Sequence, residues 1–216
     1  MLLTDEQRTR LTQIAQARLE ADPSCHDWDH TQRVLACAME LGRQENADLS
    51  VIAAAAILHD IARPQEMADQ GQSDHALLGA EQALEILHEE NIGDDAWQRH
   101  VAACIRTHRY RNRTGEKPAS PEACILFDAD KLDSLGAIGL ARAFHFAGKT
   151  GARVHNTAEE ALGGASYGRE DSAYREYLVK LQYLPESMLT SAGRKTALQR
   201  RQFMQAFFAE LDDECH

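Results

Sequence analysis

The stretch SVIAAAAILHDIARP, residues 50–64, decides the fold of this chain. From Val51 to Leu58 every position is apolar, which is typical of a helix that is buried on all sides. Two polar residues, His59 and Asp60, follow at the end of this apolar run. Burial of a carboxylate without a partner is costly, so we expect positive charge to meet Asp60. The stretch therefore predicts both the centre of a core and the centre of a polar site.

Strand signals are nearly absent from the rest of the chain. Alternating β-branched runs are missing, whereas Ala, Leu, Glu, Gln and Arg, which are good helix formers, dominate. We therefore expect an all-α fold and a single domain over residues 1–216. Its expected parts are a helical core at about 24–146, a glycine-rich loop at about 147–172 and C-terminal helices at about 173–213.

Local signals place the expected helices. Thr4 and Gln7 form a capping box for the first helix, which is expected to end near Asp22–Pro23. The second helix is expected to begin at an N-cap, Asp29, and the third to end near Pro64. The remaining expected helices cover about 73–90, 94–110 and, without a break, 121–146.

Composition and charge limit the partners and the location. The formal net charge of −11 disfavours a nucleic acid polymer as a partner, and no apolar run is long enough to cross a membrane. The opening residues lack an apolar signal segment, and the five cysteines are scattered without CxxC spacing. These features lead us to expect a cytoplasmic protein whose partner is a small molecule.

His30 is the second candidate for the polar site. It falls at the same helical angle as Val34 and Leu41, so its imidazole is expected to point inward. A lone inward histidine is most often a satisfied core residue. The nearby His59–Asp60 pair favours a metal site instead.

A further carboxylate completes this candidate site. Asp130 aligns with Leu126 and Phe144 on the expected sixth helix, and Asp128 and Asp133 compete for its role. Two imidazoles and two carboxylates suit Mn²⁺, Fe²⁺, Co²⁺, Ni²⁺ or Zn²⁺ and are too rich in nitrogen for a dedicated Ca²⁺ site.

This order of residues resembles the signature of the HD superfamily of metal-dependent phosphohydrolases. The matching residues are His30, then His59–Asp60, then Asp130 followed by Lys131. The flanking sequences are similar to the bacterial branch of YpgQ- and YedJ-like proteins, and the similarity extends into the tail at 177–211. The similar stretches are HDWDHTQRV (26–34), AAILHDIARP (55–64), HALLGAEQA (75–83), CIRTHR (104–109) and DADKLDSLGAIGLARAF (128–144).

The resemblance implies an HD-domain helical bundle with extra C-terminal helices. It implies one divalent metal ion, with Mn²⁺ or Mg²⁺ favoured and a second metal ion not expected. The ligands carried over are His30, His59, Asp60 and Asp130. The implied reaction is hydrolysis of a phosphorus–oxygen bond, in this branch of a nucleoside or deoxynucleoside triphosphate to the monophosphate and pyrophosphate.

This chain lacks motifs that are typical of other branches of the superfamily, so the activities of those branches are less expected here. The 5′-nucleotidase branch carries Glu three residues after the His-Asp pair, whereas this chain has Arg63. The Glu-Asp pair of the guanosine-tetraphosphate hydrolases and the glycine-tyrosine-proline word of the cyclic-dinucleotide branch are also missing from the sequence. A phosphomonoesterase, a phosphodiesterase or a non-catalytic metal- or nucleotide-binding regulatory module remain the alternatives.

Two histidines and several charged residues are candidates for catalysis. His75 and His108 are expected to line the pocket, contacting phosphate or protonating the leaving group; the alternatives are capped or core histidines, or ligands of a second metal ion. Arg33 and Lys131 are candidates to neutralise a transferring phosphoryl group, with an ordinary surface ion pair as the alternative. Asp133 or Glu66 is the candidate to orient or deprotonate the attacking water.

The remaining candidates concern substrate binding and assembly. Arg63, Lys149 and Lys180 are expected, with His75 and His108, to bind substrate. Lys149 and Arg153 lie on the expected loop and either close over substrate or stay on the surface. The basic stretch RTHRYRNR, residues 106–113, is either a funnel for triphosphate or a solvated helix end, and the tail at 200–211 is core or the seam of a homodimer.

Overall fold

The computed structural model describes residues 3–19, 27–109 and 116–215. Two expected features lie outside this range, namely the end of the first helix near Asp22–Pro23 and residues 110–113 of the basic stretch. Within the described residues the secondary structure is helical and contains no strand, which confirms the all-α prediction. The α-helices are α1 (Asp5–Leu19), α2 (Trp28–Glu45), α3 (Leu49–Leu58), α4 (Arg63–Ala68), α5 (His75–Glu89), α6 (Asp95–Thr107), α7 (Pro121–Leu132), α8 (Gly136–Lys149), α9 (Ala158–Gly163), α10 (Ala173–Val179), α11 (Leu184–Ser187) and α12 (Ser191–Cys215).

The chain divides into two compact units, residues 1–130 and 131–216. In the first unit α3 is the central helix: its residues 50–58 are all buried, and it packs against α1, α2 and α6. Its N-cap is Asp48, whose side chain accepts hydrogen bonds from the backbone N–H groups of Ser50 and Val51. The apolar run therefore forms the centre of a helical core, as expected from its composition.

The chain after α3 differs from the prediction. The helix ends at Leu58 and not near Pro64, which instead lies in the first turn of α4. Proline suits that position because the N–H it lacks would have no partner inside the helix. His59 and Asp60 consequently lie on a tight turn between two helices, where the N–H of Arg63 donates to the carbonyl of Asp60 at 2.9 Å.

The start of α2 is also shifted. Its N-cap is Asp27 and not Asp29, and the Asp27 side chain accepts a hydrogen bond from the N–H of His30 at 3.0 Å. Asp29 lies in the first turn of the helix. The cap therefore bonds directly to the backbone of a residue predicted to bind metal.

The expected sixth helix is broken into α7 and α8. The turn between them ends at Gly136, whose φ of 74° lies in the left-handed region that favours glycine. A Cβ atom at Gly139 would overlap the carbonyl group of Ser134, so this glycine permits the sharp turn. The predicted alignment of Asp130 with Phe144 along one helix is therefore wrong, because the helix that carries Asp130 ends at Leu132.

In the second unit α8 packs against α10 and α12, and α10 packs against α9. The segment between α8 and α10 contains α9 and is closed by internal hydrogen bonds. Ser172 Oγ donates to Asn156 Oδ1 at 2.6 Å, and Asn156 Nδ2 donates to the carbonyl of Glu170 at 3.0 Å. Asn156 and Ser172 are both buried, so this segment has a small polar core of its own.

The C-terminal helix α12 contributes both buried and exposed aromatic side chains. Met204 and Phe208 are buried, and the Phe208 ring lies 4.9 Å from that of Tyr177. Phe203 and Phe207 are exposed. Among the helices described, none has both the length and the apolar character needed to cross a membrane.

Candidate metal centre

The Asp60 carboxylate is the centre of a buried cluster of four imidazoles. Its Oδ2 lies 3.6 Å from Nε2 of His30 and 3.5 Å from Nε2 of His59. Its Oδ1 lies 3.3 Å from Nε2 of His75 and 3.5 Å from Nε2 of His108. All five side chains are at most 3% exposed. One carboxylate therefore faces a different pair of histidines with each of its oxygens.

Asp130 adds a second carboxylate to the His30 side of the cluster. Its Oδ1 lies 3.4 Å from Nε2 of His30, and its side chain is 13% exposed. Helix α7, which carries it, is tied to the start of α3, because Glu122 accepts a hydrogen bond from the backbone N–H of Asp48 at 2.9 Å. Asp128, the competing candidate, is fully buried on the same helix. The four residues predicted as metal ligands thus come together in the first unit.

The surroundings of three histidines fix the position of their protons. Nδ1 of His59 lies 2.8 Å from the carbonyl oxygen of Ala56, and Nδ1 of His108 lies 2.6 Å from the carbonyl oxygen of Ile105. In His75 it lies 2.8 Å from a carboxylate oxygen of Glu66. A carbonyl or ionised carboxylate oxygen only accepts, so Nδ1 carries a proton in each of these rings, and Nε2 is the nitrogen that faces Asp60.

The same local device positions two of these rings. His59 is the C-cap of α3 and His108 the C-cap of α6, and each ring donates to the carbonyl three residues before it. Carbonyls in the last turn of a helix have no partner within the helix, so they are available to such donors. A hydrogen bond at Nδ1 is also the usual way in which a metal-ligating histidine is oriented.

The Nε2 atoms of the four histidines also lie close to one another in pairs. Nε2 of His75 lies 3.3 Å from Nε2 of His108, and Nε2 of His59 lies 3.4 Å from Nε2 of His30. Burial lowers the pKa of His59 to about 4, so this ring is neutral at pH 7 and, with its proton on Nδ1, presents a lone pair at Nε2. Imidazole nitrogens and a carboxylate that face one another in this way suit a divalent cation. The residues present therefore fit such an ion.

Among the residues that the structure describes, two groups have the spacing of a cation site. The first is His30, His59 and Asp60, and the second is Asp60, His75 and His108; in each, the ligand atoms all lie within 4.8 Å of one another. His75 and His108, predicted to line the pocket, are thus members of the buried cluster. The cluster of histidines and aspartates indicates divalent metal binding by this chain.

Glu66 organises the side of the cluster next to His75. It is buried and accepts hydrogen bonds from Nδ1 of His75 at 2.8 Å, from Arg63 at 3.1 Å and from Arg109. Burial alone would raise the pKa of Glu66, but His75 and Arg109 outweigh it and hold that pKa below its usual value. Glu66 was predicted only as a candidate base, and Arg109 only as a member of the basic stretch at 106–113. The relevant signal was the position of Arg109 directly after His108.

The other predicted residues lie in varied surroundings. Arg63 contacts Glu66, and Arg33 is half-buried on α2, one turn after His30. The remaining candidates belong to the second unit. There Asp133 forms an ion pair with Arg142 at 2.6 Å, and Lys180 forms one with Glu176 at 2.6 Å. Arg153 forms ion pairs with Glu160 and Glu170. Lys149 is exposed at the end of α8, and Lys131 lies in the last turn of α7.

Comparison with known proteins identifies relatives over nearly the whole chain. A family model for the HD domain matches residues 27–135. The uncharacterized protein YpgQ of Bacillus subtilis (strain 168) is 32% identical over 210 residues, which cover 97% of this chain and 94% of YpgQ.

Solved structures agree with this assignment. The crystal structure of Bacillus subtilis YpgQ in complex with ADP matches with a TM-score of 0.70 and 29% identity, covering 97% of this chain and 95% of that one. An HD-superfamily hydrolase from Bacillus thuringiensis matches with a TM-score of 0.74 and 29% identity, covering 97% and 96%. The family match spans every residue of the Asp60 cluster, and the chain belongs to the HD-domain family, with relatives that include HD-superfamily hydrolases.

Proposed function

We propose that this protein is a divalent-metal-dependent phosphohydrolase that cleaves a nucleoside triphosphate to the monophosphate and pyrophosphate. The observation that carries the proposal is the Asp60 carboxylate, which lies between two pairs of histidine Nε2 atoms. A nucleotide substrate is supported by the YpgQ crystal structure, in which that relative is in complex with ADP.

In this proposal His30, His59, Asp60 and Asp130 hold a divalent ion, Mn²⁺ or Mg²⁺ in the first instance. Such an ion lowers the pKa of a bound water and polarises a phosphoryl oxygen. The sequence favoured a single ion. The second group, His75 and His108 with the other oxygen of Asp60, has equally short spacings, and we extend the proposal to a second ion there.

The chain's own residues supply orientation and charge. Arg63, with part of its side chain exposed beside His75, is suited to bind a phosphate oxygen, and Arg33 keeps its predicted role. Glu66 already accepts from three donors and has a lowered pKa, so it is poorly suited to remove a proton and better suited to hold its neighbours. The predicted roles of Lys131, Asp133, Lys149 and Lys180 stay predictions.

The proposal is tested by ³¹P NMR of a panel of nucleoside triphosphates with Mn²⁺. The parent is compared with His59→Ala and with His88→Ala, which removes an exposed histidine on α5. We expect pyrophosphate from the parent and from His88→Ala, and none from His59→Ala. His59→Ala should stay folded and helical, which circular dichroism checks.

Other outcomes separate the alternatives. Release of inorganic phosphate, lost in His59→Ala, would replace pyrophosphohydrolysis with phosphomonoester cleavage at the same cluster. Equal turnover by the parent and His59→Ala would remove the active site from this cluster. Nucleotide binding without turnover under every divalent metal would favour a regulatory module.

A further inference from the structure

Beside the Asp60 cluster lies a group of three charged residues that we call the arginine clamp: Arg63, Glu66 and Arg109. Glu66 Oε2 accepts from Nη1 of Arg63 at 3.1 Å, and Glu66 Oε1 accepts from Nη1 of Arg109. The two arginine side chains are only 16% and 14% exposed. One carboxylate therefore holds two largely buried guanidinium groups together.

The clamp carries an excess of positive charge. Two guanidinium groups meet the single carboxylate of Glu66, and the next acid, Asp74, is half-exposed and 3.8 Å from Arg109. The Nε–H groups of Arg63 and Arg109 are both buried without a hydrogen-bond partner in the part of the chain that the structure describes. Buried donors are normally satisfied, so the two arginines keep unused hydrogen-bonding capacity. Part of each side chain is exposed, and two neighbouring guanidinium groups are suited to receive an anion with several acceptor oxygens.

The position of the clamp links it to one face of the cluster. Arg63 follows Asp60 by three residues, Arg109 directly follows His108, and Glu66 accepts the Nδ1 proton of His75. The guanidinium groups therefore lie next to the side of Asp60 that faces His75 and His108. A phosphoryl group held at this side would bring its neighbouring phosphates towards the clamp.

We propose that the arginine clamp is a subsite for the part of a polyphosphate chain that leaves as pyrophosphate, with Glu66 as the positioning residue that sets the spacing of the two guanidinium groups. This inference rests on the proposed function for its biological substrate. Guanidinium forks match phosphate oxygens in geometry and charge, which a lysine ammonium does in charge alone. The clamp should therefore recognise pyrophosphate itself, with neither nucleoside nor metal.

The test is isothermal titration calorimetry of the full chain with inorganic pyrophosphate in the presence of a chelator. We expect the parent to bind, and Arg109→Ala to raise the Kd at least about tenfold, as for the loss of one charge-assisted hydrogen bond. The matched control is Arg99→Ala, which removes an exposed arginine earlier on α6, outside the basic stretch at 106–113, with the same change in charge. That variant should bind as the parent does.

Arg109→Lys keeps the positive charge and the ion pair with Glu66 but removes the fork. We expect a severalfold rise in Kd, and this variant decides the question if Arg109→Ala loses its fold by circular dichroism. No binding by the parent, a parental Kd in Arg109→Lys, or an equal loss in Arg99→Ala would each overturn the proposal.

The assay keeps this inference separate from the proposed function because it requires neither metal nor turnover. If triphosphates are not hydrolysed and pyrophosphate binding still depends on Arg109, the subsite stands and the substrate assignment fails. If triphosphates are hydrolysed and Arg109 is irrelevant to pyrophosphate binding, the proposed function stands and the subsite fails.

Discussion

At the scale of single residues, the orientation of three histidine rings decides what the cluster can bind. His59, His75 and His108 each donate from Nδ1 to a fixed acceptor, which directs every Nε2 at Asp60. Rings held in this way need no reorientation to bind a cation. The acceptors, two helix carbonyls and Glu66, are therefore as much a part of the site as the imidazoles.

This arrangement predicts the metal content of a single substitution. His108→Ala removes one nitrogen from the second group and leaves His30, His59 and Asp130 in place. We expect the parent to hold two Mn²⁺ ions per chain and His108→Ala to hold one, as measured by elemental analysis after dialysis. His88→Ala is the control and should match the parent. Equal metal content in all three proteins would show that His108 is not a ligand.

The residues that cluster around Asp60 were predictable from the sequence, whereas those that support them were not, for a physical reason. His30, His59, Asp60 and Asp130 stand out because they interrupt apolar patterns, and the HD resemblance favours Asp130 over Asp128 and Asp133. Glu66 and Arg109 interrupt no such pattern. Their pairing depends on how α4 and the end of α6 pack, which no local spacing encodes.

At the scale of elements, the break between α7 and α8 shows what periodicity leaves out. Apolar residues keep a helical spacing on both sides of the turn, from Leu126 to Phe144, so the pattern alone predicts one helix. The break depends on backbone conformation at Gly136 and on the close approach of Gly139 to Ser134. Apolar periodicity reports burial and not the continuity of the helix axis.

Two glycines of α8 provide a matched test of this turn. Gly139→Ala places a methyl group against the backbone of Ser134, which cannot move without opening the turn. We expect it to lower the free energy of unfolding by about 1–3 kcal/mol, the usual cost of overpacking.

Gly148→Ala is the control, because nothing lies within 4 Å of the added atom. It should be neutral or stabilise by up to about 1 kcal/mol, since alanine favours the helix. Urea denaturation measures both variants. Equal stability of the two proteins would contradict a tight turn at Gly139.

At the scale of the whole molecule, the match to the HD family and the all-helical content agree with the sequence, whereas the single-domain prediction over 1–216 stays a prediction. The large-scale agreement has a simple cause. Composition and the apolar helix at 51–58 determine the type of core, and they tolerate shifts of helix ends such as those at Asp27 and Pro64.

Binding of a metal ion at the Asp60 cluster should raise the melting temperature of the whole chain. An ion that binds only the folded chain at one hundred times its Kd stabilises by about 2.7 kcal/mol, or roughly 5–10 °C in Tm for a chain of this size. We expect Mn²⁺ to raise the Tm of the parent by this order. Asp60→Asn should show a much smaller rise, since it removes the charge that both groups share. Differential scanning calorimetry measures both rises in Tm. An equal rise in the parent and in Asp60→Asn would show that the ion binds elsewhere.

If both groups bind a cation, as proposed, a carboxylate shared by two faces couples two equilibria. A cation bound through one oxygen of Asp60 would withdraw negative charge from the other, so filling either face would weaken the other, and thermodynamic reciprocity makes the factor the same in both directions. The expected result is negative cooperativity. Half-loaded protein would then persist over a wide range of metal concentration, and the fully loaded fraction would rise gradually with supply.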